Sequence, residues 1–229
     1  MLLKNIKDIA IENGTWSIIR TDIINLNVIT ESIRILPYTG AGLNKDEKVE
    51  NARLPYFAQV FYYLVYQLKT IPSEDAFFTR YIKWNDPENT NPKVFRCNGQ
   101  ELSVEGLKSR LLRTYPSLIR DIHCYYYLLE SEKFQFVNYS LVDDIFSGID
   151  ITVKYQDKLY GISIHIDTIR ATKYKKKKEN RHDYDGINEI ILVAKFSELN
   201  RVGKFYLLGE RHLNEILTKI EAADFVGVR

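Results

Sequence analysis

Only two cysteines, Cys97 and Cys124, occur in the 229 residues. They are too few for a disulfide framework and lack the CxxC spacing of a zinc site. No stretch approaches the roughly 18 uninterrupted apolar residues that a membrane helix requires, which excludes a transmembrane role. The opening residues, Met1-Leu2-Leu3-Lys4-Asn5-Ile6-Lys7-Asp8, carry charges where a secretory signal keeps an apolar core, so the expected location is cytoplasmic. A GxxxxGK[ST] phosphate loop, a GxGxxG turn after a strand and an HExxH helix are all missing, which removes nucleotide-hydrolase, dehydrogenase and zinc-protease readings. Gly40-Ala41-Gly42 is too short to stand for a nucleotide site. No internal repeat is visible.

What is present is the balance of a folded protein, with 45% hydrophobic and 27% charged residues. The net charge of +2 hides an uneven distribution. Between residues 170 and 181, seven of twelve residues are basic: Arg170, Lys173, Lys175, Lys176, Lys177, Lys178 and Arg181. With Glu179 as the one acid, this window carries +6 and leaves −4 on the rest of the chain. A concentrated basic segment on a mildly acidic body predicts contact with a polyanion, most simply nucleic-acid phosphate. Lys108, Arg110, Arg113 and Arg120 add positive charge upstream; they could touch phosphate, although solubility of a helix surface explains each of them singly.

The first hundred residues carry weak signals. Trp16–Arg20 and the isoleucine-rich 23–35 region read as strands or short helices, and Leu54–Leu68 as an apolar, aromatic helix with Pro55 in its first turn. Aromatics all round that segment point to core rather than to a base-stacking surface. Asp86–Pro92 is the clearest linker, and a division into an extension (1–104) and a core (105–229) follows. In the core, helices are expected from Ser103 and again from Pro116 to about Ser131. Strands are expected at Phe134–Tyr139, Gly148–Tyr155, Leu159–Ile166, Ile190–Phe196 and Lys204–Leu208. The basic segment reads as a helix between the strands, and another helix closes the chain from about Glu210 to Ala222. The expected fold class is α/β, a mixed sheet with helices on its faces.

Two strands carry the chemistry. Alternation puts Ser163, His165 and Asp167 on one face of the second strand, and Asp150, Thr152 and Lys154 together on the first. A symmetric hairpin with its tip at 157–158 sets Asp150 across from His165 and Thr152 across from Ser163. His123 and Cys124 adjoin on a helix, but neighbouring helical residues point about 100° apart, so they form no nucleophilic dyad. His123 reads as a core histidine and His212 as a surface one.

Residues 148–167, GIDITVKYQDKLYGISIHID, resemble the core of the PD-(D/E)XK, or restriction-endonuclease-like, nuclease superfamily. The resemblance covers roughly residues 105–220. It implies an α-β-β-β-α-β core and metal-dependent endonuclease activity on duplex DNA, in restriction, transposition or phage defence. Asp150 in Gly148-Ile149-Asp150 matches the motif aspartate that binds Mg²⁺ (or Mn²⁺), and Tyr160–His165 matches the second motif in spacing. There Ser163 replaces the acid or glutamine and His165 replaces the lysine. The resemblance therefore makes Asp150, Ser163, His165 and Lys154 the candidate catalytic residues, with Lys154 supplying the missing positive charge. Asp150, Asp144 and Asp167 are candidate metal ligands; Asp143, and Asp121 or Glu130 from the helix, are alternatives. Arg170–Arg181 becomes the candidate DNA contact. A homodimer or a place in a larger complex is compatible with the pattern. The alternative function is a catalytically inactive nuclease-like subunit that binds nucleic acid or a partner.

Overall fold

A computed structural model describes residues 9–12, 15–18, 24–40, 43–88, 90–141, 143–167 and 187–226. The expected helix over the basic segment, with all of Arg170–Arg181, lies outside these residues.

Strands β1 (Ile9–Glu12) and β2 (Thr15–Ile18) form an antiparallel hairpin. Helices α1 (Leu26–Ile35), α2 (Glu47–Asn51), α3 (Phe57–Leu68) and α4 (Glu74–Asn85) follow. Side chains start three of them: Asn25 accepts from the Val28 amide, Asp46 from Val49 and Ser73 from Ala76. Val60 to Tyr66 of α3 are all buried, so its aromatics are core. A second hairpin, β3 (Val94–Cys97) and β4 (Gln100–Ser103), turns at Asn98 and Gly99, both with positive φ.

Helix α5 (Val104–Glu130) starts at Ser103, whose hydroxyl accepts from the Gly106 amide. It runs straight through Pro116, where the sequence predicted a break and a second helix. The hydroxyls of Thr114 and Ser117 bond back to the Arg110 and Thr114 carbonyls around the proline. The fully buried Leu111, Tyr115, Ile119 and Ile122 on both sides of Pro116 keep the two halves in one packed rod. Core residues from Ile24 through Ile220 form one hydrophobic cluster, so α5 and α1–α4 share a core on both sides of residue 104.

The main sheet has the order β5 (Phe136–Asn138), β6 (Ile151–Tyr155), β7 (Lys158–Ile166), β8 (Asn188–Ala194). β5–β6 and β6–β7 are antiparallel and β7–β8 parallel. A π-helical turn (Asp143–Ser147) precedes β6. A hairpin of β9 (Asn200–Val202) and β10 (Phe205–Leu207) and the closing helix α6 (Glu210–Val226) complete the described chain. The protein is thus a mixed α/β fold with a mixed sheet. No helix among the described residues is long and apolar enough to cross a membrane.

The β6–β7 register differs from expectation. Tyr155 pairs with Lys158, Thr152 with Gly161 and Ile151 with Ile162. The turn is Gln156-Asp157, not 157–158, and both residues have positive φ, 46° and 63°. Such a two-residue turn matches the right-handed twist of the strands and fixes the pairing. The slip of two residues preserves which side chains share a face. It moves Thr152 away from Ser163, and it moves Asp150 away from His165.

Candidate functional site

Asp150 sits just before β6, where the ladder departs from regular pairing. Its amide donates to the Ile162 carbonyl at 2.9 Å, and its Oδ2 accepts from the Ile164 amide at 2.5 Å. A side-chain carboxylate thus replaces a backbone acceptor at the strand end and is held there. Asp144, in the π-helical turn, accepts the Tyr139 hydroxyl at 2.8 Å, and its amide donates to Ser140 O. Asp121 projects from α5. All three aspartates line one cavity of about 330 Å³, together with Arg120, Leu118 and Ile164. Their fields meet inside the core: burial first, then Asp121, Asp144 and Asp150, push the Tyr62 phenol well above its ordinary range. Burial, followed by Asp121 and Asp150, does the same to the Cys124 thiol, which makes that cysteine an inert core residue rather than a nucleophile.

The remaining sequence candidates lie elsewhere. Ser163 is completely buried, and its hydroxyl is shared between Glu189 Oε1 at 2.8 Å and the Gly148 carbonyl at 3.1 Å. His165 is half-buried, pairs in register with Val193, and does not line the aspartate cavity. Lys154 stands beside the hairpin turn and pairs with Asp157 at 2.9 Å. Asp167 is exposed past the end of β7, its amide bonded to Ala194 O. The structure therefore brings Asp144 and Asp150 together, adds Asp121, and leaves Asp167, Ser163, His165 and Lys154 off the cavity. Glu130, the other helix acid considered, accepts the Leu26 amide at 2.6 Å and so caps α1.

Among the basic residues upstream, Arg110 reaches the Val49 and Ala52 carbonyls, and Arg113 reaches Glu50 and the carbonyls of Leu43 and Asn44. These side chains tie the α2 region to α5 instead of facing solvent. His123 is in the core as expected, 6% exposed. His212, expected at the surface, is buried, because its Nδ1 accepts the Gly209 amide where α6 begins.

Sequence reasoning assigned Ser163 a catalytic position without seeing Glu189, its buried partner. No signal within the motif could have found that contact, since the parallel neighbour β8 supplies it. Compared with known protein families, curated proteins and solved structures, the chain shows no significant match.

Proposed function

We propose that this protein is a metal-dependent, restriction-endonuclease-like nuclease that hydrolyses phosphodiester bonds of duplex DNA. One observation carries the reading: aspartates from three separate stretches of chain, Asp121 on α5, Asp144 in the π-helical turn and Asp150 just before β6, line a single cavity. Carboxylates gathered in this way repel one another unless a cation offsets them. Among the described residues no three His, Cys, Asp or Glu side chains stand close enough to cage an ion by themselves. Mg²⁺ is commonly held by only one or two carboxylates, with water and substrate phosphate completing its shell, and an all-oxygen donor set suits Mg²⁺ or Mn²⁺. Asp150 and Asp144 would hold the ion, and Asp121 would border the cavity without completing a three-carboxylate cage.

When bound, such a metal lowers the pKa of an attacking water and neutralises charge developing on the phosphate. The chain's own part is orientation. The Ile164 amide pins Asp150, and the Tyr139 hydroxyl pins Asp144. The Arg170–Arg181 segment supports DNA as the partner through its charge alone. The reading asks no chemistry of Ser163, Lys154, His165 or Asp167.

A second reading, a catalytically inactive nuclease-like binding subunit, is favoured by Ser163, a buried structural hydroxyl where the resemblance expects an acid or glutamine. Plasmid cleavage in Mg²⁺ and in Mn²⁺ separates the two. Wild type nicks the plasmid, and Asp150→Ala and Asp121→Asn each abolish nicking while His165→Ala does not. A folded wild-type protein that leaves duplex DNA, single-stranded DNA and RNA intact in both metals selects the inactive subunit.

A further inference from the structure

We propose that Arg120 is the phosphate-receiving group of the aspartate cavity and takes the place of the lysine that the second strand motif lacks. The inference rests on the nuclease reading for its ligand, a phosphodiester. Among the described residues, Arg120 is the one cation that lines the cavity. Lys154, Lys108 and Arg113 do not line it and pair with Asp157, Asp75 and Glu50.

The guanidinium is held by one edge. Its Nε donates to the Tyr206 carbonyl of β10 at 3.2 Å, which fixes the plane of the group between α5 and that strand. Nη1 and Nη2 have no hydrogen-bond partner among the described residues. Nor do they belong to the buried side-chain atoms without partners, which are Tyr62 Oη, His123 Nδ1 and His212 Nε2. The two remaining nitrogens therefore keep access to solvent, on a residue that lines the cavity. Burial lowers the Arg120 pKa from its ordinary value and neighbouring Asp121 opposes the shift, but a guanidinium stays protonated at any working pH.

A planar fork anchored by one nitrogen and presenting two others matches two oxygens of a phosphate, a fit that a lysine on a flexible stem does not reproduce. The three carboxylates repel a bare phosphate, so the arginine acts on a phosphate only after a divalent cation has offset them. Its contribution to binding is accordingly divalent-dependent.

The test uses the full chain and a short fluorescent duplex DNA, with anisotropy read in Ca²⁺ and in EDTA across a salt series, alongside plasmid cleavage in Mg²⁺. Arg120→Gln weakens binding in Ca²⁺ by about 10–100-fold and reduces the slope of log affinity against log salt by about one, with little change in EDTA. Arg120→Lys keeps the slope and loses part of the affinity. It also retains a donor for the Tyr206 carbonyl should the glutamine variant fail to fold, as judged by circular dichroism. Wild-type cleavage with an Arg120→Gln variant equal to it in affinity, slope and rate overturns this inference and leaves the nuclease standing. Absent cleavage by wild type, together with the expected losses on Arg120→Gln, overturns the nuclease and supports the phosphate site. A wild type that neither binds nor cleaves overturns both.

Discussion

Replacing His123 with phenylalanine should make the protein less sensitive to acid. His123 lies on α5, 6% exposed, with its ring stacked on Tyr127 at 6.2 Å and its Nδ1 without a partner. Burial alone lowers its pKa from 6.5 to about 4. Above the ordinary value both folded and unfolded chains carry neutral imidazole, and the full stability is present. As pH falls below it, the unfolded chain takes up a proton that the folded chain refuses, and stability drops until the folded histidine also titrates near its own lowered pKa. A shift of this size corresponds to about 3 kcal/mol in total, of which about 2 kcal/mol is lost by pH 5. Urea unfolding of wild type and His123→Phe at pH 7.5 and at pH 5 measures it. Carboxylates and the buried His212 titrate in both proteins and cancel in the comparison. Wild type should lose about 2 kcal/mol more than the variant between the two pH values. Equal losses would refute the reasoning, because they would mean that the buried ring accepts a proton without penalty.

Two further substitutions probe the frame around the cavity. Ser163→Ala removes the buried hydroxyl shared by Glu189 and Gly148, and should cost about 1–3 kcal/mol, seen as a lower melting temperature by circular dichroism. A variant as stable as wild type would deny these bonds their structural role. Gly40→Ala should lower the melting temperature more than Gly161→Ala. A Cβ at Gly40 meets the Leu112 carbonyl oxygen at 2.7 Å, whereas one at Gly161 meets the end of the Ile149 side chain at the same distance. A backbone carbonyl inside α5 cannot move aside, and a side-chain methyl can. The reverse order would show α5 to be more compliant at Leu112 than its packing implies.

The two glycines also show how differently local and distant causes speak in a sequence. Leu112 is the carbonyl that Pro116, lacking an N–H, cannot bond within α5, and Gly40 packs against it from more than seventy residues away. Reading Pro116 as the start of a new helix followed a sound local rule, and the packing of Leu111, Tyr115, Ile119 and Ile122 outweighed it. By contrast, Asn98-Gly99, between the Asp86–Pro92 linker and the division at residue 104, is a local hairpin signal between two short strands.

Alternation along GIDITVKY and LYGISIHI was enough to establish two neighbouring strands and the residues that share each face. Burial around the aromatic α3 likewise followed from composition alone. These properties depend on residues two to four apart, and the chain carries that information directly. Register was a different matter. A two-residue slip leaves every face unchanged, so no pattern of apolar and polar residues distinguishes the pairings. The positive φ values at Gln156 and Asp157 made the choice. The candidate site was more distant still. Asp144 and Asp150 are near neighbours in the chain, but Asp121 and Arg120 reach the same cavity only because α5 and Ile164 of β7 border one space. Tertiary packing also engaged Ser163 with Glu189 across a parallel pair and kept His165 off the cavity. Contacts between elements depend on how whole faces pack, and local periodicity does not encode them.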